Sequence, residues 1–437
     1  MVNSAASSAA QIESEKKVRW LHLAMGVMCM AMIANLQYGW TLFVDPIDAK
    51  YHWGREAIQV AFALFVLTET WLVPVEAWFV DRYGPRVVLT FGACMIAFAW
   101  ALNSTAASLP ALYFAAVVGG IGAGAVYGTC VSNALRWFPD RRGLAAGATA
   151  AGFGAGAALT VVPISKSIIA AGYEQTFLVY GLGQGLVVFA LALFIRAPRI
   201  AMPAAKRQVR VPQARTDTAP AQTLRTPVFW WMYAAFVMVA AGGLTISAQI
   251  GPLARDFKID KIPVSLFGLQ MAALTFAISL DRILDGFGRP FFGWVSDQIG
   301  REITMAIAFL IGAGALFVLG TYGRDPVVLV LMSGLYFCVF GEIYSLFPAT
   351  CTDTFGSKYA ATNAGMLYTA KGTAALLVPL SSQLAASQGW SAVFVIAMSF
   401  NITAAMLALF VIRPMRGKLI ARSAEPASAA ADLARAA

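Results

Sequence analysis

Apolar runs of roughly 20 residues recur from one end of the chain to the other, separated by short polar stretches. A helix of that length crosses the hydrocarbon core of a bilayer, so the pattern predicts membrane spans rather than a soluble core. Twelve spans are predicted, near 20–44, 57–80, 87–105, 110–135, 143–170, 175–196, 228–252, 264–296, 302–320, 327–350, 359–386 and 391–412. The longest polar connection, 197–227, holds Arg199, Lys206, Arg207, Arg210, Arg215 and Arg225 with several prolines, the composition of a flexible linker. The chain therefore divides into a disordered tail over 1–19, a six-helix bundle over 20–196, a linker over 197–227, a second six-helix bundle over 228–412 and a tail over 413–437. The fold class expected is an all-α membrane protein of twelve transmembrane helices in two six-helix pseudo-symmetric halves.

One stretch breaks the apolar pattern. Residues 279–301, SLDRILDGFGRPFFGWVSDQIGR, carry Asp281, Arg282, Asp285 and Arg289 inside a single predicted span. Positions 281, 285 and 289 are four apart and share one helical face, which Arg282 borders. A charge near the bilayer centre costs a few kcal/mol or more, so this stripe faces protein or water rather than lipid. The stripe reads as a polar pathway through a transporter; the competing reading is a set of ion pairs that only joins helices.

Composition sharpens this picture. The 437 residues are 59% hydrophobic and 12% charged, with a mean hydropathy of +0.69, more apolar surface than a soluble protein hides. The net charge of +10 does not point to nucleic acid, because the basic residues sit in short loops between spans. Lys16, Lys17 and Arg19 precede span 1; Arg82 and Arg86 follow span 2; Arg136, Arg141 and Arg142 follow span 4; Arg413, Arg416, Lys418 and Arg422 follow span 12. That bias places both termini in the cytoplasm. The first 15 residues lack the core of a cleaved signal peptide. The five cysteines, at 29, 94, 130, 338 and 351, form no C-x-x-C or Cys/His cluster, so no disulfide, metal or other cofactor is expected. No nucleophile–base constellation suggests an enzyme.

The two halves repeat. VDRYGPR (80–86) matches SDQIGRE (296–302), with 297 − 81 = 216; YGTCVSNALRWFPDRRGLAAG (127–147) matches YSLFPATCTDTFGSKYAATNAG (344–365), with 355 − 138 = 217. Two matches at nearly one offset indicate duplication, and two parallel six-span halves around a central cavity are a transporter plan. The D-R-x-G-x-R loop and its repeat resemble the signature loop of the major facilitator superfamily. Its glycine permits a tight turn at a helix end, and Asp81, Arg82, Arg86, Asp297 and Arg301 become candidates for a cytoplasmic gate.

Lys371, in LYTAKGTAALL, lies twelve residues past Tyr359, about 18 Å into its helix and near the midplane. Arg289 lies eight residues before Asp297, about 12 Å from the cytoplasmic end. Cationic groups come from the C-terminal half only; the position aligned with Lys371 is Gly154 (371 − 217). An arginine fork and a lysine point charge together suit a small anion with one or two carboxylates. Pairing of Lys371 with Asp285 or Glu342 for assembly alone is the alternative. Gly143, Gly147, Gly152, Gly154 and Gly156 make span 5 a close-packing helix. Gln37, Tyr38, Trp40, Tyr127, Phe153, Tyr344 and Tyr368 are candidate cavity walls.

At these residues, NLQYGWTLFVDPI, ALRWFPDRRGLAAGATAAGFGAG, GRPFFGWVSDQIGR, GEIYSLFPATCTDTFG and MLYTAKGTAALL resemble the oxalate–formate antiporters of the major facilitator superfamily. The resemblance covers nearly all twelve spans, but not the tails or the centre of the linker. It implies that Arg289 and Lys371 hold a dicarboxylate, with Tyr38, Tyr127, Tyr344 and Tyr368 as cavity aromatics and Gln37 beside them. Phe153 stands where tyrosine occurs in that family, and Phe340 where tryptophan often occurs. Asp285 departs from the asparagine found four residues before the arginine. The resulting D-x-x-x-R resembles the proton-coupled monocarboxylate transporters and marks Asp285 as a coupling or charge-tuning residue. The resemblance further implies a monomer in lipid in a bacterial inner membrane, exchanging oxalate for formate. The rival readings are a proton-coupled symporter of a monocarboxylate such as lactate or formate, and an anion-sensing membrane receptor.

Overall fold

In a computed structural model, residues 2–199, 211–266 and 268–423 are described. The chain is almost entirely helical: α1 Val2–Tyr38, α2 Thr41–Tyr51, α3 Arg55–Trp71, α4 Val73–Tyr83, α5 Pro85–Thr105, α6 Leu109–Trp137, α7 Arg142–Phe194, α8 Pro220–Leu224 and α9 Pro227–Asp256. A hairpin of β1 Pro263–Leu266 and β2 Leu269–Ala272 follows, then α10 Ala273–Ile299, α11 Arg301–Tyr322, α12 Pro326–Phe340, α13 Ile343–Phe355, α14 Ala360–Ala375, α15 Val378–Gln388 and α16 Trp390–Met406. Among the described residues, eight segments are long and apolar enough to cross a membrane, and nine if the α3–α4 pair, bent by 41°, is one broken span. The 53-residue α7 breaks at Gly172 and so holds two passes. Adding the charged α10 and the interrupted α14–α15 to these brings the passes to the predicted twelve. Many apolar side chains point outward, Ile169 and Leu159 being 84% and 74% exposed, as a lipid-facing surface requires.

Packing separates the described residues into two compact units. One lies within Met1–Gln208 and Ala360–Thr369; the other lies within Val209–Tyr359 and Ala370–Ala437. The repeat is written into the backbone of both. Gly84 and Gly300 (300 − 84 = 216) open α5 and α11 at φ +83° and +104°, and Gly172 and Gly389 (389 − 172 = 217) sit at helix breaks at φ +82° and +81°. Positive φ of this kind is open to glycine at little cost and strains other residues. In the first unit, a side chain at Gly152 or Gly156 would run into the α1 backbone at Val27 and Ala31, so the small-residue helix predicted for span 5 is one that lets two backbones touch.

Four boundaries differ from the sequence reading. The tail expected over 1–19 is helical from Val2 within α1. Glu15 and Arg19 anchor it, Glu15 to Arg196 at 3.0 Å and Arg19 to Asp140 at 3.1 Å. Span 8 begins at Ala273 rather than 264, because β1 and β2 pair as the hairpin, with Pro263 opposite Ala272. Residues 200–210 of the linker lie outside the described residues. The rest of it is pinned to the second unit: the Ala214 and Thr218 amides donate to the Asp353 and Phe355 carbonyls, and Asp217 accepts from the Lys358 amide at 2.9 Å. The C-terminal helix continues past 412 to 423, where Arg416 pairs with Glu302 and donates to the Pro212 carbonyl.

Candidate anion-binding site

The second unit gathers the charged stripe. Asp281, Asp285 and Arg289 are buried along one face of α10. Arg289 Nη2 donates to Asp285 Oδ2 at 2.7 Å, one helical turn away. The α12–α13 span breaks at Gly341–Glu342 beside them. A side chain at Gly341 would lie 2.7 Å from the Asp285 carbonyl oxygen and 3.0 Å from the Arg289 side chain, so glycine admits this pair against the neighbouring span. The Arg289 guanidinium carbon lies 4.7 Å from the Tyr344 ring centre, and the Lys371 ammonium lies 6.0 Å from the same ring. Two cations from two different spans thus lie near one aromatic ring, a kind of contact that strengthens when the cation is desolvated. Phe340 stands edge-on to Tyr344 at 5.9 Å and Phe236 at 6.2 Å, closing the site with apolar rings. Arg289 and Lys371 are 3% and 5% exposed.

The first unit gathers the other aromatics. Tyr38 meets Phe153 edge-on at 5.2 Å, Phe153 meets Tyr127 at 6.0 Å, and Tyr127 stacks on Tyr368 at 4.7 Å. These four rings come from four predicted spans, so the fold has brought together residues dispersed in the chain. Gln37 Oε1 is buried and accepts no hydrogen bond, while Trp40 belongs to the buried core.

The predicted gate residues divide. Asp81 pairs with Arg136 and accepts from the Thr362 amide at 2.9 Å and the Thr362 hydroxyl at 2.6 Å. Arg82 and Arg86 are exposed; Arg82 lies over Trp78 at 5.3 Å. In the second unit Arg301 is fully buried and binds Asp297 at 2.6 Å, Asp353 at 2.9 Å and Ser296 at 2.5 Å. Asp353, not singled out in the sequence, completes this cluster. Glu342, weighed above as a partner of Lys371, is fully buried and accepts no hydrogen bond on either oxygen. Glu69 and Glu76 carry the same sequence signal as the α10 stripe, an ionisable group inside an apolar span.

A twelve-pass helical protein with an internal duplication and buried charges within its spans has the architecture of a solute carrier, and the chain belongs to the Major Facilitator Superfamily, whose family model matches residues 23–379. It is similar to the oxalate:formate antiporter of Oxalobacter formigenes, 36% identical over 400 residues that cover 91% of this chain and 92% of that protein. The fold is that of solved carriers of the same superfamily. The human organic anion transporter MFSD10 superposes with a TM-score of 0.63 at 16% identity, over 91% of this chain and 99% of that one. The proton:xylose symporter XylE superposes with a TM-score of 0.67 at 14% identity, over 92% and 96%.

Proposed function

We propose that this protein is a secondary transporter that exchanges oxalate for formate by alternating access across a bacterial inner membrane, with both termini cytoplasmic. The observation that carries the reading is the desolvated pair of cations, Arg289 and Lys371, over the Tyr344 ring, together with the likeness to an oxalate:formate antiporter along nearly the whole chain. Arg289 offers a planar fork to one carboxylate and Lys371 a point charge to the other. Gln37, Tyr38, Tyr127, Phe153, Tyr344 and Tyr368 contribute the non-polar and hydrogen-bonding walls. Asp81, Arg82, Arg86, Asp297 and Arg301 act at the cytoplasmic gate. Exchange follows from electrostatics: a site of net positive charge is costly to seal from water when empty, and a bound anion lowers that cost. Oxalate entering against formate leaving moves net negative charge inward. The protein acts as a carrier rather than an enzyme, as a monomer in lipid and with no cofactor. The test is counterflow of labelled oxalate in proteoliposomes, with and without internal formate.

A second reading rests on Asp285. Its carboxylate already occupies one edge of Arg289, so the three charges of the site sum to +1 + 1 − 1 = +1, which matches a monoanion. In that reading Asp285 takes up a proton and the protein is a proton-coupled monocarboxylate symporter. Uptake driven by an imposed pH gradient, present in the native protein and absent from Asp285→Asn, is its signature.

A further inference from the structure

The duplication relates Asp285 to Glu69 (285 − 69 = 216) and Gly341 to Gly124 (341 − 124 = 217). The correspondence is spatial as well. A side chain at Gly341 would lie 2.7 Å from the Asp285 carbonyl oxygen, and one at Gly124 would lie 2.7 Å from the Glu69 carbonyl oxygen. Each unit therefore brings a glycine of its fourth span onto the same point of its second span. The contents of the two places differ. In the second unit Asp285 is paired with Arg289. In the first, the position of Arg289 is Val73 (289 − 216), and a second carboxyl, Glu76, enters instead. The same hypothetical side chain at Gly124 would lie 2.7 Å from Glu76 Oε2, so the Glu76 carboxyl fills the notch that this glycine leaves, beside the Glu69 carbonyl and at the bend between α3 and α4.

Glu76 is 9% exposed, and neither of its oxygens accepts a hydrogen bond. Among the described residues, the elements packed around it within its unit offer no cation at that level. On α6 the facing residues are Gly120, Gly124 and Gly128, and the one charged residue of that helix, Arg136, is engaged by Asp81. On α14, Gly365 packs against Val73 and Ala77, and the one charged residue of that helix, Lys371, lies six residues further on, about 9 Å along the axis, against the Tyr344 ring. On α5 the charged residue is Arg86, exposed at its first turn. The nearest ionisable side chain before it in the same span is Glu69, seven residues earlier and fully buried, a second carboxyl. An ionised carboxylate with no donor, no cation and a carboxyl for a neighbour is expensive in a membrane interior, whereas a neutral carboxyl is not.

We propose that Glu76 is a proton-binding site, occupied in the conformation described here, and that substrate transport depends on its occupancy. The ligand is a proton taken from water when the bend of span 2 is hydrated and held while it is dry. The sign follows from the neutral form being the one required: transport persists at pH below the titration of Glu76 and falls as pH rises through it.

Two measurements on the purified, reconstituted full-length protein test this. The first is infrared absorption of protonated carboxyl groups at neutral pH in wild type, Glu76→Gln and Glu76→Asp. Loss of one carboxyl component in Glu76→Gln, and its displacement in frequency in Glu76→Asp, is the expected result; spectra that superimpose in this region overturn the proposal. The second is anion counterflow at equal internal and external pH across the neutral and alkaline range. Glu76→Gln is neutral at every pH, so the alkaline fall of the wild type should disappear while activity at lower pH is retained. An alkaline fall of the same position and depth in Glu76→Gln overturns the coupling. If Glu76→Gln does not accumulate in folded form, Glu76→Asp decides: its fall must move along the pH axis, and an unmoved fall refutes the assignment. The infrared result does not depend on which anion is carried, so it fails or succeeds independently of the oxalate–formate reading.

Discussion

Replacing Asp285 by Asn should tilt the site toward dianions. Asp285 holds Arg289 at 2.7 Å, and a substrate carboxylate on the opposite edge of the guanidinium would lie about 5 Å from it. At an effective dielectric constant near 20, each unit of substrate charge is then repelled by about 3 kcal/mol. Water and the nearby Lys371 reduce this, leaving about 1.4 to 3 kcal/mol per charge. Formate feels the repulsion once and oxalate twice, so removing it favours oxalate over formate by roughly tenfold to 100-fold. Asn keeps an oxygen for Arg289 and nearly the same volume, so the 2.7 Å contact has a replacement and the helix should be undisturbed. The assay is inhibition of labelled-oxalate counterflow by unlabelled oxalate and formate, giving the ratio of half-saturating concentrations in wild type and Asp285→Asn. A ratio unchanged within about twofold, or one moved toward formate, would refute the reasoning, because Asp285 would then carry no charge in the substrate-binding state.

Three other perturbations bear on the same site. Arg289→Lys keeps the charge but loses the fork that meets Asp285 and the flat face over Tyr344, which costs about 2 kcal/mol and lowers oxalate transport roughly thirtyfold at normal membrane abundance. Lys371→Gln removes the second cation over Tyr344; the loss of a buried charge partner is about 2 to 5 kcal/mol, so oxalate counterflow should fall at least about thirtyfold, with formate self-exchange affected less. Gly288→Ala would drive a methyl group into the backbone carbonyl of Cys338 on α12; the cost is about 1 to 3 kcal/mol of overpacking, read as reduced yield and a lower melting temperature of the purified protein.

Much of this architecture was legible in residue order, because a bilayer asks for long apolar helices and tolerates little else. The spans, the duplication and the stripe on α10 follow from spacing alone. The Asp285–Arg289 contact is a four-residue step on one helix, the kind of pair a sequence exposes directly. The meeting of Arg289 and Lys371 near Tyr344 joins three spans, so spacing along the chain could not supply it. The breaks at Gly341–Glu342 and Leu376–Leu377 were hidden because the surrounding residues read as continuous apolar helix. At Gly341 what decides is how closely the neighbouring span approaches. The docking of 211–226 was hidden for a related reason: its composition suits a loose linker, and its order comes from hydrogen bonds to carbonyls at the end of α13. The carboxyls of Glu69 and Glu76 stand out less in the chain, since TETW and PVEAW lack the repeated charge of α10.

The account stands most directly on counterflow. Purified protein reconstituted into proteoliposomes loaded with unlabelled oxalate or formate, and into unloaded ones, is given labelled oxalate outside. The account predicts rapid uptake in both loaded preparations, far above that in empty vesicles. With formate inside, oxalate entry should also respond to membrane potential, in the sense of negative charge moving inward. Uptake into empty vesicles equal to that into formate-loaded ones, or uptake of formate driven by a pH gradient without exchange, would contradict it.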